Sequence, residues 1–486
     1  MKTLKIILSI LLISSLGGCK KYDDYQSDPN RTTEGDPGLL LTNIQVSVSG
    51  MVTLSAAMSS RQMVNTDGSD NNQYYGWQRA GFGNYNMLRQ VLKMEEEAKL
   101  IDNTNYLALG KFFRAWLFLS LTNTFGDVPY SKALQGELDA FTPAYDRQED
   151  IYLAILNDLK EANNMISADN GIVNGDVIYG GDLEKWKKAI NSLSLRTLIS
   201  LSRKEGNTKI GVINRFQEIV GSPAQYPIFT SNADSFALPY YEIDGNEYPY
   251  FNSNSIKTAY YFEESFVNML KGLEDPRLFT FADREFNGKD LPEDDFNAYG
   301  GLGGSDLLSD NTGRLSNGEG SPIDSRYYDD PENEPAIGLG YAEIEFTLAE
   351  AAARGWIGND PEDHYKKGIV ASMLFYDFNQ ATIDAYLQKN QVQYLPQQGV
   401  EMIITQKYIS FFMNSGWELF YNQRRTGFPE FATDGGGILN GGQIPKRWMY
   451  PESEIIYNNE SLQAAISQQF PEGDNVNGEM WLLKTE

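Results

Sequence analysis

The 486-residue chain has one cysteine and one histidine. One cysteine excludes an internal disulfide, and His364 with no cysteine partners cannot assemble a zinc site. A Ser-His-Asp triad would have to use His364, yet no G-x-S-x-G elbow is present. The run Gly300-Gly301-Leu302-Gly303-Gly304 follows no strand-like segment and precedes no GK[ST], so it reads as flexible loop rather than a phosphate cradle. Positive charge is also scarce. With 40 basic against 66 acidic residues the net charge is -26, which argues against a nucleic-acid partner and against a polybasic membrane patch. The enzymatic class that survives these absences is a glycosidase, which needs only two carboxylates a few ångströms apart. Nothing in the spacing marks such a pair, and no catalytic residue is assigned.

Aromatic residues are plentiful at 13 %, including 29 Tyr and 7 Trp. Some must build core, but the excess of Tyr suits carbohydrate, whose apolar C–H faces match flat rings while the phenol keeps a polar handle. The chain opens with Lys2 and Lys5 before an apolar run from Ile6 to Leu16, too short to cross a bilayer comfortably, and residues 1–18 read as a signal peptide. Leu16-Gly17-Gly18-Cys19 resembles a bacterial lipobox and predicts lipidation of Cys19. Residues 19–37 are polar and broken by Asp28-Pro29 and Asp36-Pro37, so they read as a tether.

Hydrophobic spacing then predicts helices over Leu39–Met63, Asn84–Asp102, Tyr106–Phe125, Tyr145–Ile166 and Asp182–Arg203. Gly110 would let a partner helix approach closely. Between Asn65 and Trp77, the stretch NTDGSDNNQYYGW shows no periodicity. Its Tyr74, Tyr75 and Trp77 beside Asp67, Asp70 and Asn72 suit a sugar, with rings to stack on and polar groups for hydroxyls. The same loop reads equally well as one whose rings turn back against the body. Its acids lack EF-hand spacing. Loop carboxylates could chemically hold calcium, but no ligand spacing supports it, so no cofactor and no metal are expected.

From Gln225 to about Pro335 helical periodicity fades and Gly, Pro, Asn and Asp increase. Short strands are expected over Tyr226–Thr230 and Phe236–Tyr241, with one helix over Tyr260–Leu270. Tyr248, Tyr250, Phe251, Tyr327 and Tyr328 are flanked by polar residues and join the ligand-binding candidates. Helical order returns in GYAEIEFTLAEAAARGWIG, from Gly340, and in HYKKGIVASMLFYDF. Residues 401–429, EMIITQKYISFFMNSGWELFYNQRRTGFP, read as helix, turn, helix. Arg424 and Arg425 favour the second helix's C-terminus, Gly427 can take a left-handed cap, and Pro429 blocks continuation.

QKYISFF with GWELFYNQRRTGFP resembles a signature of the SusD/RagB family of outer-membrane nutrient-binding lipoproteins, in its SusD-like branch. FRAWLFLSLTNTFGDVPYSKA, LEDPRL, YAEIEFTLAEAAARG, YKKGIVASM and IPKRWMYP are similar to other family segments, as is DPN before a Leu-rich start. The resemblance covers nearly all of residues 19–451. It implies a mainly α fold, with tetratricopeptide-like helical pairs carrying a large irregular loop region and a few short strands. A single domain over 38–486 is expected, helical at 38–224 and 336–430 with a loop-rich insert at about 225–335. The resemblance further implies binding without catalysis at the outer membrane, facing the exterior, with a SusC-like TonB-dependent transporter as partner. Peptide or protein capture on the same scaffold is the alternative.

Overall fold

The computed structural model describes residues 35–136 and 141–485. The expected signal peptide, Cys19 and all but the end of the tether lie outside these residues. The Asp36 carboxylate accepts from Gly38 N and caps helix α1 (Pro37–Val48), with proline at the first turn. The helix expected over Leu39–Met63 is two, because Ser49-Gly50 ends α1 and α2 (Leu54–Ser59) starts anew before strand β1 (Met63–Asn65). Four longer helices follow: α3 (Asn84–Leu100), α4 (Thr104–Phe125), α5 (Gln148–Met165) and α6 (Leu183–Ser200). The shorter α7 (Val212–Gly221) packs on α6.

Each of these helices packs against its successor, and α1 lies on α3. Buried residues make up 16 of the 22 in α4, because α3 covers one side and α5 another. A helix apolar on most faces belongs in such a position. Gly110 is required there: a Cβ would stand 2.3 Å from the Glu95 carboxylate of α3.

The middle region holds more structure than its composition suggests. It contains β2 (Phe236–Leu238), α8 (Asn254–Ala259), β3 (Tyr260–Phe262), α9 (Glu264–Gly272), α10 (Leu278–Phe281), α11 (Leu308–Ser316), α12 (Arg326–Asp329) and β4 (Ala336–Leu339). Strand β1 pairs antiparallel with β3, and β2 with β4. Tyr226–Thr230 forms no strand; it docks on α6, where Phe229 N donates to Ser192 Oγ. Tyr260–Leu270 is not one helix either. Glu263 turns its carboxylate onto Ser265 N and Phe266 N, which starts α9 only after the strand.

The C-terminal part supplies α13 (Tyr341–Ala353), α14 (Pro361–Phe375), α15 (Gln380–Leu387), α16 (Gly399–Ser410), α17 (Glu418–Thr426), α18 (Glu452–Tyr457) and α19 (Asn459–Gln469). Here α13, α14 and α16 pack on one another, and α13 also meets α6. A second apolar cluster, with Phe346, Tyr365, Ile369 and Tyr386, fills the space under α14 and α15. The mainly α architecture expected from the sequence is therefore present. So is the expected hairpin, with Gly427 closing α17 at φ +84°.

The seam between the two halves is ionic. Glu343 and Glu350 lie two turns apart on α13. Arg196 of α6 grips Glu343 through Nε at 2.7 Å and through Nη2, which also donates to Gly338 O. Lys407 of α16 approaches Glu343 at 3.7 Å. Arg425 of α17 holds Glu350 with two bonds of 2.5 and 2.7 Å, and Arg354 adds a third at 2.8 Å. Burial alone would raise the Glu350 carboxyl, but Arg425, Arg354 and Lys407 hold it down at about 2. The Arg424-Arg425 end of the hairpin is thus not a basic surface. Glu350→Ala would leave Arg425 buried without its counter-charge. It is expected to lower stability by about 3–5 kcal/mol, read as a shifted urea midpoint with unchanged slope.

Candidate functional site

The loop at 65–77 folds around a cation. Arg61 is buried, donates from Nη1 to Gln73 O and from Nε to Ala432 O, and lies 4.4 Å from the centroid of Tyr75. Tyr75 is wholly buried and donates to Ser59 O; Tyr74 is also buried. Trp77 stacks on Trp448 at 4.8 Å, meets Trp417 and Phe420 edge-on, and donates from Nε1 to Arg447 O. These three rings are core and offer no face to a ligand. Asp70 accepts from Asn72 N and Gln73 N, while Asn72 reaches Ser55 Oγ, so both side chains hold the loop itself. Asp67 alone of this set stands exposed.

The second set divides in the same way. Tyr248 and Tyr327 are buried, with ring centroids 6.2 Å apart. Tyr250, Phe251 and Tyr328 are half-buried against the core; Tyr250 Oη accepts from Leu54 N, and Lys257 sits 5.4 Å from the Tyr328 ring. The expectation that loop aromatics are poor core-builders fails at these positions, because short helices and strands anchor the segments that carry them.

A different aromatic is free. Phe286 is 80 % exposed and stands over an open groove of about 460 Å³. Tyr261 of β3 forms another wall, with Arg284, Lys289, Asn317 and Pro322 around the rim. β3 sets Tyr261 in place: it pairs with Val64 and bridges to Pro322. Hydrogen bonds to the backbone fix the floor. Asn287 N donates to Gly318 O and Asn287 Nδ2 to Asn317 O, while Gly320 N donates to the Glu285 carboxylate. Gly318 has φ +85°, and a Cβ there would press within 2.5 Å of Asn287 Oδ1 and 3.1 Å of the Phe286 ring. Arg284 uses Nη1 on Leu291 O and Nη2 on Glu293, with its buried Nε left without a partner among the described residues, and Lys289 pairs with Asp283. The groove therefore offers apolar ring surface with polar edges and little unpaired charge, which suits a neutral ligand having both hydroxyls and a C–H face.

Sequence reasoning passed over Phe286 and Tyr261. The signal for Phe286 is local: a ring flanked by Arg284, Glu285, Asn287 and Gly288, with no apolar residue immediately beside it. Tyr261 was hidden inside an expected helix.

No group of three or more His, Cys, Asp or Glu among the described residues is placed to hold a metal ion. His364 is a satisfied interior residue, with Nδ1 2.6 Å from Glu345 and Nε2 3.1 Å from Asn359. Among the described residues no helix is long and apolar enough to cross a membrane.

A family model described as starch-binding and associating with the outer membrane matches residues 29–451. Among solved structures, an outer membrane protein of Bacteroides vulgatus connected with nutrient binding is 36% identical, with a TM-score of 0.87 over 93% of this chain and 100% of that one. A SusD homologue from Bacteroides fragilis, also 36% identical, has a TM-score of 0.85 with the same coverage. A chitin-binding protein shares the fold at 24% identity and a TM-score of 0.76, over 92% of this chain and 100% of its own. No curated protein matches the chain.

Glu334 lies buried near Tyr248, Tyr327 and Tyr376, accepting from Asn414 Nδ2 at 3.1 Å and Arg326 Nη2 at 3.4 Å. Burial pushes its carboxyl up from 4.5 to about 8, against the pull of Arg326. The folded state therefore holds this proton where the unfolded chain has released it, and its contribution to stability falls as pH rises from about 4.5 to about 8. Glu334→Gln should flatten that decline, seen as a melting temperature less sensitive to pH than the parent's across this window.

Proposed function

The chain belongs to the SusD/RagB family, in its SusD-like branch, and we propose that it captures oligosaccharides at the cell surface for a SusC-like TonB-dependent transporter. The family is one of starch- and nutrient-binding proteins associated with the outer membrane, not of enzymes. In this reading Cys19 carries the lipid that holds the body to the membrane, and the body faces the exterior. The packed helices are the rigid part that meets the transporter. The observation that carries the ligand reading is Phe286, a ring left in solvent above a floor built by Gly318 and the Asn287 bonds.

The groove's chemistry supports a saccharide. Stacking a pyranose on Phe286 would bury the ring without requiring charge, while Tyr261 and Asn317 can serve hydroxyls. An open groove admits a chain segment rather than swallowing an end, which fits capture of a polymer fragment. Release must stay fast if the ligand is to move on, so moderate affinity is sufficient when capture occurs beside the pore.

The test is calorimetric titration of the purified protein with maltoheptaose, chitohexaose and a tryptic peptide mixture, beside Phe286→Ala. Binding of one of the saccharides is expected. In Phe286→Ala affinity should fall roughly thirtyfold, the equivalent of about 2 kcal/mol for a well-placed aromatic contact. Stability should change by no more than about 0.5 kcal/mol, since the ring is exposed. Heat from peptides with none from saccharides would replace this reading by peptide capture. Saccharide binding indifferent to Phe286→Ala would move the site elsewhere.

A further inference from the structure

A second, partly open cavity lies apart from the groove, between α4, α6, the α1–α2 connection and the turn leading into α17. It measures about 280 Å³ and is bounded by Trp116, Arg196, Met51, Trp417, Glu418 and Tyr421, with Asn123 at one side. The turn that shapes it is strained and tied down. Met413, Ser415 and Gly416 all have positive φ, at +53°, +61° and +55°. Ser415 N donates to Ile337 O, Gly416 N to Met51 O, and Ile337 N to Asn414 Oδ1. Trp417 is locked by edge contacts with Trp77, Phe420 and Trp448. The wall is therefore preformed, and a wall held at this conformational cost does more than close a gap.

Its polar groups are under-used. The Glu418 carboxylate makes no hydrogen bond and no ion pair with any described residue. Burial raises its pKa, with the Arg196 charge opposing. Arg196 spends Nε and Nη2 on Glu343 and Gly338 O, which leaves Nη1 without a protein acceptor among the described residues. Asn123 Oδ1 accepts from Tyr152, and its Nδ2 has no acceptor among them. One carboxylate and two sets of N–H donors thus line a space walled by indole and phenol rings.

Charge selects the ligand class. Arg196 lines the cavity, while Lys407 and Arg424 line the neighbouring space that Arg196 and Glu418 share, so an organic cation entering the cavity meets the Arg196 guanidinium beside the single carboxylate. An anion meets Glu418 itself, with Glu343 behind Arg196. A neutral ligand that both donates and accepts hydrogen bonds, and carries an apolar face, satisfies every group without net charge. We propose that this cavity is a second saccharide site taking one neutral sugar ring, whose hydroxyls donate to Glu418 and accept from Arg196 and Asn123 against the wall of Trp417 and Tyr421. The proposal rests on the saccharide reading of the family role, but on different residues from the groove.

The experiment is tryptophan fluorescence and calorimetry of the purified protein against free glucose, galactose, mannose, N-acetylglucosamine and xylose, with Glu418→Gln and Phe286→Ala in parallel. At least one monosaccharide should give a saturable change that weakens roughly tenfold or more in Glu418→Gln, the effect expected when a charged acceptor becomes neutral. Trp417→Phe, which keeps a ring in the wall, should retain binding by calorimetry with a smaller fluorescence change, the remainder arising from Trp116. A monosaccharide response that survives Glu418→Gln, or that Phe286→Ala removes, overturns the cavity and leaves the groove standing. So does the absence of any monosaccharide response while maltoheptaose or chitohexaose still binds. Silence toward every saccharide overturns both. Saturation by tetramethylammonium in place of sugars would overturn the charge argument and with it the ligand class.

Discussion

Two carboxylates on one helix hold this molecule together. Glu343 and Glu350 project from α13 into the seam between the N-terminal helices and the C-terminal ones, and each meets cations brought by other elements. The groups are buried, so their value is less in net stability than in the cost of any arrangement that separates them. The seam fixes how α6, α13, α16 and α17 meet, and the turn before α17 inherits its position from that fixity. Both the cavity wall at Trp417 and the β2–β4 pairing beside it depend on this alignment.

Most of the helical scaffold was legible in the sequence because its signals are local. Asp36 and Asp182 also cap helices, each one residue before the helix begins, although in sequence Asp36-Pro37 reads as a break in the tether and Asp182 as part of its helix. Gly110 marks the close approach of α3, and Gly427 closes α17. Spacing of apolar residues located α3 to α6 to within a few positions. Errors arose where a distant contact decides the outcome. The break between α1 and α2 is secured by Met51 O, which accepts from Gly416 N across most of the chain length. The start of α9 depends on a capping glutamate that reads as an ordinary helical residue.

Which rings stand free for a ligand was far less legible, for a physical reason. A ring beside Asn and Asp looks the same in sequence whether it faces water or a buried guanidinium. Tyr75 lies against Arg61, and Trp77 joins a cluster with Trp417 and Trp448, partners hundreds of residues away. Tyr248 and Tyr327 likewise find each other through tertiary structure. Phe286 has no such ring partner among the described residues: its segment is held by the Asn287 backbone and side-chain bonds instead of by its own side chain. Exposure here records which rings the core failed to recruit, and sequence pattern alone does not carry that information.

Gly318 gives this arrangement a further meaning. Its backbone, not the aromatic ring above it, sets the floor of the groove. The residue at 286 is thereby relieved of any part in folding and can be exchanged at little structural cost. Scaffold and surface are in effect separate variables, one written in a glycine that has to stay and the other in a neighbour free to change. Under the proposed saccharide reading, a change at position 286 would alter ligand preference without rebuilding anything beneath it.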